Sequence, residues 1–201
     1  MDRFNTMIKY FKYFSYLAIL SSWITILISV YFNPWFKLTR NALSDLGGGN
    51  LLSGHPPPKY PFIYNYGMII TGLFMILFSI YIIYISRNKI ENSGGTIFSI
   101  SGLFLILIGI YHEGTYPHDF VSMWFYIITS FSIFFIGISI LAIKNYKYGL
   151  TLTLLPIISW LIYAFADFKS GAEGEIFGII VIQISVIIYL VSLRHYKFNR
   201  R

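Results

Sequence analysis

Six long apolar stretches take up most of this 201-residue chain, and their length limits what the chain can fold into. They cover approximately residues 14–32, 62–85, 95–111, 121–143, 150–165 and 176–193. A helix needs about 20 apolar residues to cross a hydrocarbon core about 30 Å thick, and each stretch reaches or approaches that length. The sequence therefore predicts an all-α bundle of six transmembrane helices.

Composition and charge narrow the class of protein further. Hydrophobic residues make up 56% of the chain and charged residues 11%, whereas about a quarter of the residues of a soluble domain are charged. We expect residues 1–201 to form a single domain, because the spans leave no room for a second one. The net charge of +7 comes from basic residues beside apolar spans, so nucleic-acid binding is excluded as a function. The chain has no cysteine and hence no thiolate chemistry, and its composition identifies no cofactor.

The distribution of charge between the spans predicts their orientation. Positive residues concentrate on the cytoplasmic side of a membrane protein. With the N-terminus inside, eleven basic residues are cytoplasmic and four are outside, the latter being Lys37, Arg40, Lys59 and Lys169. The same arrangement puts most acidic residues and three histidines outside. We therefore predict a plasma-membrane protein with both termini cytoplasmic and a polar extracytoplasmic site.

The long outer loop, residues 33–60, contains the first candidate site. Residues 35–46 can form a short amphipathic helix that ends at Gly47. Helical spacing would put Arg40 with Ser44, and Asn41 with Asp45, on one face. That face would offer a cation, an amide and a carboxylate to a ligand. The alternative is an interfacial helix whose polar face simply meets water.

The segment between the third and fourth spans contains the second candidate site. His112, Glu113, His118 and Asp119 can bind a metal ion or move protons. Their spacing differs from the pattern that puts two histidines on successive helical turns. We therefore name His112, His118 and Asp119 as metal-ligand candidates without predicting a metal. The alternative is that Asp119 only stabilises a helix N-terminus.

The last outer turn contains the third candidate site. Ser170 and Glu173 match a capping box at the start of the sixth helix. Glu175 lies further into that helix, where an unpaired carboxylate is costly unless it faces protein or a wet cavity, and Arg40 is a plausible partner. Asn65, near the outer end of the second span, can bind a ligand or form a packing hydrogen bond.

Taken together, these outer motifs resemble one family, the uncharacterised membrane family called Domain of Unknown Function 998. The resemblance rests on residues 41–47 (Asn-Ala-Leu-Ser-Asp-Leu-Gly), residues 65–67 (Asn-Tyr-Gly) and residues 109–122, in that order. It implies a six-helix fold but no activity. It also implies that a set of polar residues converges on the outer side, namely Asn41, Ser44, Asp45, Asn65, His118 and either Glu173 or Glu175.

Three classes of function follow from these residues. The first is a module that binds a lipid headgroup or small amphiphile through Arg40, Asn41, Ser44, Asn65, Glu173 and Glu175. The second is a membrane-embedded hydrolase acting on lipid, metal-dependent or not, with His118 as general base and Asp45 or Glu113 either orienting it or binding the metal. The third is a structural or assembly subunit of a membrane complex. In every case the surrounding partner is the lipid bilayer.

Overall fold

The chain folds into a bundle of six long helices in a computed structural model, which describes residues 7–49 and 54–198 and the side chains as far as residue 193. We number the long helices α1 to α6: Phe14–Phe32, Pro61–Ile85, Lys89–Ile110, His118–Ala142, Tyr146–Phe165 and Gly171–Phe198. Short 3-10 turns cover Phe11–Tyr13 and Leu43–Leu46, and the described residues contain no strand. The predicted all-α class is confirmed.

Each of the six helices is long and apolar enough to cross a membrane, so the predicted multi-pass architecture is also confirmed. The orientation of the helices stays a prediction, because their length and composition do not distinguish the two sides of a membrane. Some of the basic residues that support it lie outside the described part of the chain: Arg3, Arg200 and Arg201 and the side chains of Arg194 and Lys197. We call the end of the bundle with residues 33–49, 54–60, 111–117 and 166–170 the loop end. The end with residues 86–88 and 143–145 is the connector end.

Helices α3 and α6 begin six and five residues before the apolar stretches that predicted them, because polar caps extend them. Helix α3 begins at Lys89, where the Asn88 side chain accepts a hydrogen bond from the Glu91 amide at 2.9 Å. Helix α6 begins at Gly171, where the Ser170 hydroxyl accepts a bond from the Glu173 amide at 3.2 Å. The predicted cap by Ser170 is therefore confirmed, whereas the Glu173 side chain accepts from the Lys169 amide at 2.8 Å and not from the Ser170 amide that a capping box would use.

Close helix packing in the middle of the bundle depends on small residues. A Cβ atom on Gly72 would lie 2.6 Å from the carbonyl oxygen of Gly102, and one on Gly109 would lie 2.4 Å from that of Asn65. Small residues let membrane helices approach closely, and these contacts draw antiparallel α2 and α3 together. Helices α1 to α5 pack in chain order, and α6 packs against α5 and touches α4.

The outer surface of the bundle is apolar, as a lipid-facing surface requires. Large side chains such as Leu27, Phe131 and Leu161 are more than half exposed. The buried interior combines apolar side chains such as Phe78 with serines and threonines, many of whose hydroxyls bond to carbonyls of their own helix, as Thr129 does with Phe125 at 2.6 Å. The apolar outer surface distinguishes this bundle from a soluble one, in which the helix faces turned to water are polar.

The predicted amphipathic helix over residues 35–46 is wrong except for its last turn, Leu43–Leu46. Polar side chains satisfy backbone amides that a helix would have used. The Asn41 side chain accepts a bond from the Lys37 amide at 2.9 Å, and the Asp45 carboxylate accepts one from the Ala42 amide at 3.0 Å. Such side-chain bonds compete with helix formation, so the segment folds as successive turns.

Candidate functional site

Three polar side chains from separate segments meet at the loop end. The Ser44 hydroxyl, in the 3-10 turn, donates to Oε2 of Glu113 at 3.0 Å. Nε2 of His118, the first residue of α4, lies 3.1 Å from the same carboxylate oxygen. The structure therefore brings the first and second candidate sites together around Glu113.

The contacts of His118 define where its protons lie. Its Nδ1 is 2.7 Å from the carbonyl oxygen of Tyr111. A carbonyl can only accept, so Nδ1 carries a hydrogen. The short contact between Nε2 and the Glu113 carboxyl then needs one proton between them. The hydrogen bond from His118 and its charge outweigh desolvation and lower the pKa of the Glu113 carboxyl, so the pair can act as an acid and a base.

Glu175 connects the sixth helix to the long loop. Its Oε2 accepts a hydrogen bond from the Leu43 amide at 2.6 Å, at the start of the 3-10 turn. One turn earlier in α6, the Ala172 amide donates to the carbonyl oxygen of Asn41 at 2.9 Å. The Tyr126 hydroxyl donates to the Glu175 carbonyl at 3.4 Å. These bonds hold the Ser44 turn against α6.

Other polar residues of the loop end shape the loop itself. Asp45 accepts from Asn41 at 3.1 Å, and its second oxygen lies 3.4 Å from Nε2 of His55. The His55 ring stacks on Trp35 with a centroid distance of 4.7 Å. Asn65 donates to the carbonyl oxygen of Gly47 at 2.9 Å. Their contacts fix the backbone around Ser44.

A cavity of about 90 Å³ begins next to these groups and continues into the bundle. Its polar lining near the loop end consists of Ser44, Tyr64, Ser122, Tyr126 and Glu175. The rest of the lining on α2, α3 and α4 is almost entirely apolar: Met68, Thr71, Met75, Phe78, Phe98, Leu105, Ile108 and Phe125. On α1 and α6, three polar side chains also line the cavity: Ser15, Ser22 and Gln183. Tyr64 and Phe78 are fourteen positions apart, which corresponds to about 21 Å along α2. The cavity is thus long, narrow and polar at one end.

The predicted site residues fall into three groups relative to this cavity. Ser44 and Glu175 line it, and Glu113 and His118 lie directly behind Ser44. Asn41, Asp45 and Asn65 hold the loop backbone. Arg40 is exposed and forms no ion pair with a described carboxylate, and Glu173 caps α6 by accepting from the Lys169 amide at 2.8 Å.

The metal-ligand candidates are only partly brought together. Ligand atoms of Glu113, His118 and Asp119 lie within 4.8 Å of one another, and carboxylate with imidazole is a donor set suited to a divalent cation. Nδ1 of His112 instead lies 3.0 Å from the backbone carbonyl oxygen of Glu113. The geometry therefore groups Glu113, rather than His112, with the other two candidates.

Two residues that line the cavity near His118 were not predicted as site residues from the sequence. The Ser122 hydroxyl lies 3.3 Å from Nε2 of His118, and the i to i+4 spacing of the two residues on one helix was a signal for this contact. Tyr126, one turn further along α4, lines the cavity as well. Both hydroxyls extend the polar end of the cavity.

A second polar cluster, at the connector end, was also missed. Nε and Nη2 of Arg87 bond to Oε2 and Oε1 of Glu91 at 2.8 and 2.6 Å. The Tyr189 hydroxyl donates to Oε1 of Glu91 at 2.9 Å. The Glu91 side chain is completely buried. The spacing of Arg87 and Glu91, four residues apart, was the available signal.

The fold and the cavity define a multi-pass helical membrane protein with an internal cavity that is polar at its loop end. The chain belongs to the family described as protein of unknown function (DUF998), whose model matches residues 16–192. The predicted family is confirmed, over almost the whole bundle. No curated protein and no solved structure matches the chain.

Proposed function

We propose that this protein binds a single-chain amphiphile, with the polar head at Ser44 and Glu175 and the hydrocarbon chain in the cavity. The observation that carries this proposal is that the one lining carboxylate, Glu175, and a group of hydroxyls gather at the loop end of the cavity, whereas most of the remaining lining is apolar. Sites for small molecules are commonly apolar with a few placed polar groups. The narrowness of the cavity favours one slender chain over a two-chain lipid.

The charges near the polar end indicate the kind of head. Glu175 lines the cavity, Glu113 and Asp45 lie close by, and exposed Arg40 is directed to no described carboxylate. A phosphate at this end would meet the carboxylate of Glu175, with those of Glu113 and Asp45 close by. A head rich in hydrogen-bond donors, such as an amine or a hydroxyl, is therefore favoured. In the proposed orientation this end lies outside the plasma membrane.

The test is native mass spectrometry of the detergent-purified protein with a long-chain amine, a monoacylglycerol and a fatty acid. We expect the amine or the monoacylglycerol to bind, and Glu175→Gln to weaken that binding by about tenfold, the effect of one charge-assisted hydrogen bond. Glu173→Gln is the matched control, because Glu173 lies two residues away and caps the helix. Equal loss in both variants, or preference for the fatty acid, would contradict the proposal.

The proposed orientation has its own test, which uses the absence of native cysteine. Lys37→Cys at the loop end and Lys147→Cys beside the connector end replace two exposed side chains. In intact cells, an impermeant thiol reagent should label position 37 and leave position 147 unlabelled. The opposite pattern would put the polar end of the cavity on the cytoplasmic side.

A second candidate function, hydrolysis of a lipid ester or amide, is favoured by the Glu113–His118 pair. Ser44 contacts the carboxylate and Ser122 contacts the imidazole, and both hydroxyls line the cavity. The pair could take a proton from a hydroxyl or water and return it to a leaving group. Turnover of a radiolabelled lipid that is lost in His118→Ala, with amphiphile binding retained, would favour this function over binding alone.

A further inference from the structure

The wall of the cavity differs between its two sides. On α2, α3 and α4, the apolar lining is buried, as at Phe78, Phe98 and Phe125. On α1 and α6, three lining residues are buried, namely Ser15, Ser22 and Val186, but five are only half-buried, namely Ala18, Ile19, Ile179, Ile182 and Gln183. The cavity is therefore least enclosed between the first and the last helix, where the bundle faces lipid.

The backbones on this side are also farther apart. Glycines draw α2 and α3 into direct backbone contact, whereas α1 and α6 approach each other closely at few positions. Separating α2 from α3 would disrupt tightly packed surfaces, but separating α1 from α6 would disrupt much less. We call the line of contact between α1 and α6 the α1–α6 seam.

Side chains near the middle of both helices close the α1–α6 seam. Nε1 of Trp23 donates to Oε1 of Gln183 at 2.9 Å. Nε2 of Gln183 donates to the Ser22 hydroxyl at 3.1 Å. An amide among hydrocarbon chains needs hydrogen-bond partners, yet interhelical bonds of this kind contribute modestly to stability in membranes. Such a bridge can close the seam and still open reversibly.

We propose that the hydrocarbon chain enters the cavity sideways from the bilayer through the α1–α6 seam, and that Gln183, bonded to Trp23 and Ser22, is the latch. This inference rests on the proposed binding of an amphiphile. The route keeps the chain in an apolar medium throughout, so that it never crosses water. The same route explains why the cavity is small in the closed bundle, because entry of the hydrocarbon chain would move α1 and α6 apart and enlarge the cavity.

The chain offers a matched control for this latch. Nε1 of Trp160, on α5, donates to the Ser130 hydroxyl on α4 at 3.0 Å. This bridge is likewise an indole bonded to a polar side chain of another helix. Neither Trp160 nor Ser130 lines the cavity. The Trp160–Ser130 bridge therefore has the same chemistry as the latch but lies away from the cavity.

The first experiment compares Trp23→Phe with Trp160→Phe in protein reconstituted into nanodiscs. A radiolabelled long-chain amine is loaded, and its exchange with unlabelled amine is followed. We expect exchange to become about three- to tenfold faster in Trp23→Phe, the equivalent of losing one interhelical hydrogen bond. Trp160→Phe should exchange at the wild-type rate. Equal acceleration in both variants would overturn the latch.

The second experiment replaces the latch with a covalent link across the seam. Ser22→Cys with Gln183→Cys is joined by a reducible bifunctional thiol reagent, which the cysteine-free background permits. Ser130→Cys with Trp160→Cys, joined in the same way, is the control. Uptake and release of the amine should stop in the first pair, return on reduction, and continue in the control.

The outcomes separate this inference from the proposed function. If the linked Ser22 and Gln183 pair takes up amine as fast as its reduced form, the lateral route is wrong and amphiphile binding stands. If no unlinked protein binds the amine, the monoacylglycerol or the fatty acid, the proposed function fails and the lateral route fails with it.

Discussion

The bundle contains a buried polar cluster at each end, and the two clusters are built differently. At the connector end, Arg87 and Tyr189 both donate to Glu91 at 2.6 to 2.9 Å, and the Glu91 side chain is completely buried. At the loop end, Glu113 keeps 26% of its side-chain surface exposed beside His118. The first cluster is enclosed by helices, and the second lies between loops and a cavity.

This difference separates a stabilising role from a binding role. A buried charge whose partner is removed is strongly destabilising, so the connector end cannot tolerate changes. A half-buried pair beside a cavity can lose a partner at smaller cost, because water can replace the missing contact. We therefore expect substitutions at the connector end to act on folding and those at the loop end to act on ligand binding.

The largest expected effect is that of Glu91→Ala. It leaves the Arg87 guanidinium buried without its carboxylate, and we expect the free energy of unfolding to fall by about 3–5 kcal/mol. Reversible unfolding in mixed micelles, followed by circular dichroism, measures this loss. Glu113→Ala, the corresponding change at the loop end, should lose about 1 kcal/mol. Similar losses in both variants would contradict the comparison.

A smaller effect is expected for Tyr189→Phe. It removes a single hydrogen bond to a buried carboxylate while Arg87 remains in place, so about 1.5–3 kcal/mol of unfolding free energy should be lost. The control is Tyr126→Phe, because the Tyr126 hydroxyl makes a longer 3.4 Å contact with a backbone carbonyl. The same unfolding assay should find less than about 1 kcal/mol lost there. A larger loss of unfolding free energy in Tyr126→Phe would show that the loop end also stabilises the fold, against the comparison.

The smallest effect is a pH dependence that comes from Glu113. Its carboxyl has a lowered pKa in the folded protein relative to the usual 4.5, so the unfolded chain binds more protons in the acidic range. The stabilisation from Glu113 is complete above pH 4.5 and is lost as pH falls through the lower folded-state pKa. The free energy of unfolding should therefore rise with pH across this range, and Glu113→Gln should reduce that slope. An unchanged slope would assign the dependence to other groups.

Sequence predicted the spans well because each depends on a continuous run of apolar residues. Helix α1 covers Phe14–Phe32, the stretch that hydropathy indicated. Helix α3 begins six residues before its predicted span because Asn88 caps a polar first turn. Glu91 lies in that turn. The short polar segment between the second and third predicted spans therefore contains the most buried charge of the described chain. Hydropathy alone gives no sign of this burial.

The candidate site was predictable only in part, because its contacts join distant segments. Charge asymmetry put Ser44, Glu113 and His118 at the same end of the bundle, but it could not pair Ser44 with a residue 69 positions away. Glu175 was expected to need a partner, and Arg40 was the cation available by charge. The partner is instead the Leu43 amide. This partner could not be predicted, because every residue except proline has a backbone amide and residue type does not show which one is available.

The bonds between the long loop and α6 have a consequence for biogenesis. The loop joins α1 and α2, yet the Asn41 carbonyl and the Leu43 amide bond to residues of α6, which is synthesised later. The polar end of the cavity thus remains incomplete until α6 has entered the membrane. A ribosome stalled before α6 would leave the site unfinished, so a folded site reports that α6 has been inserted.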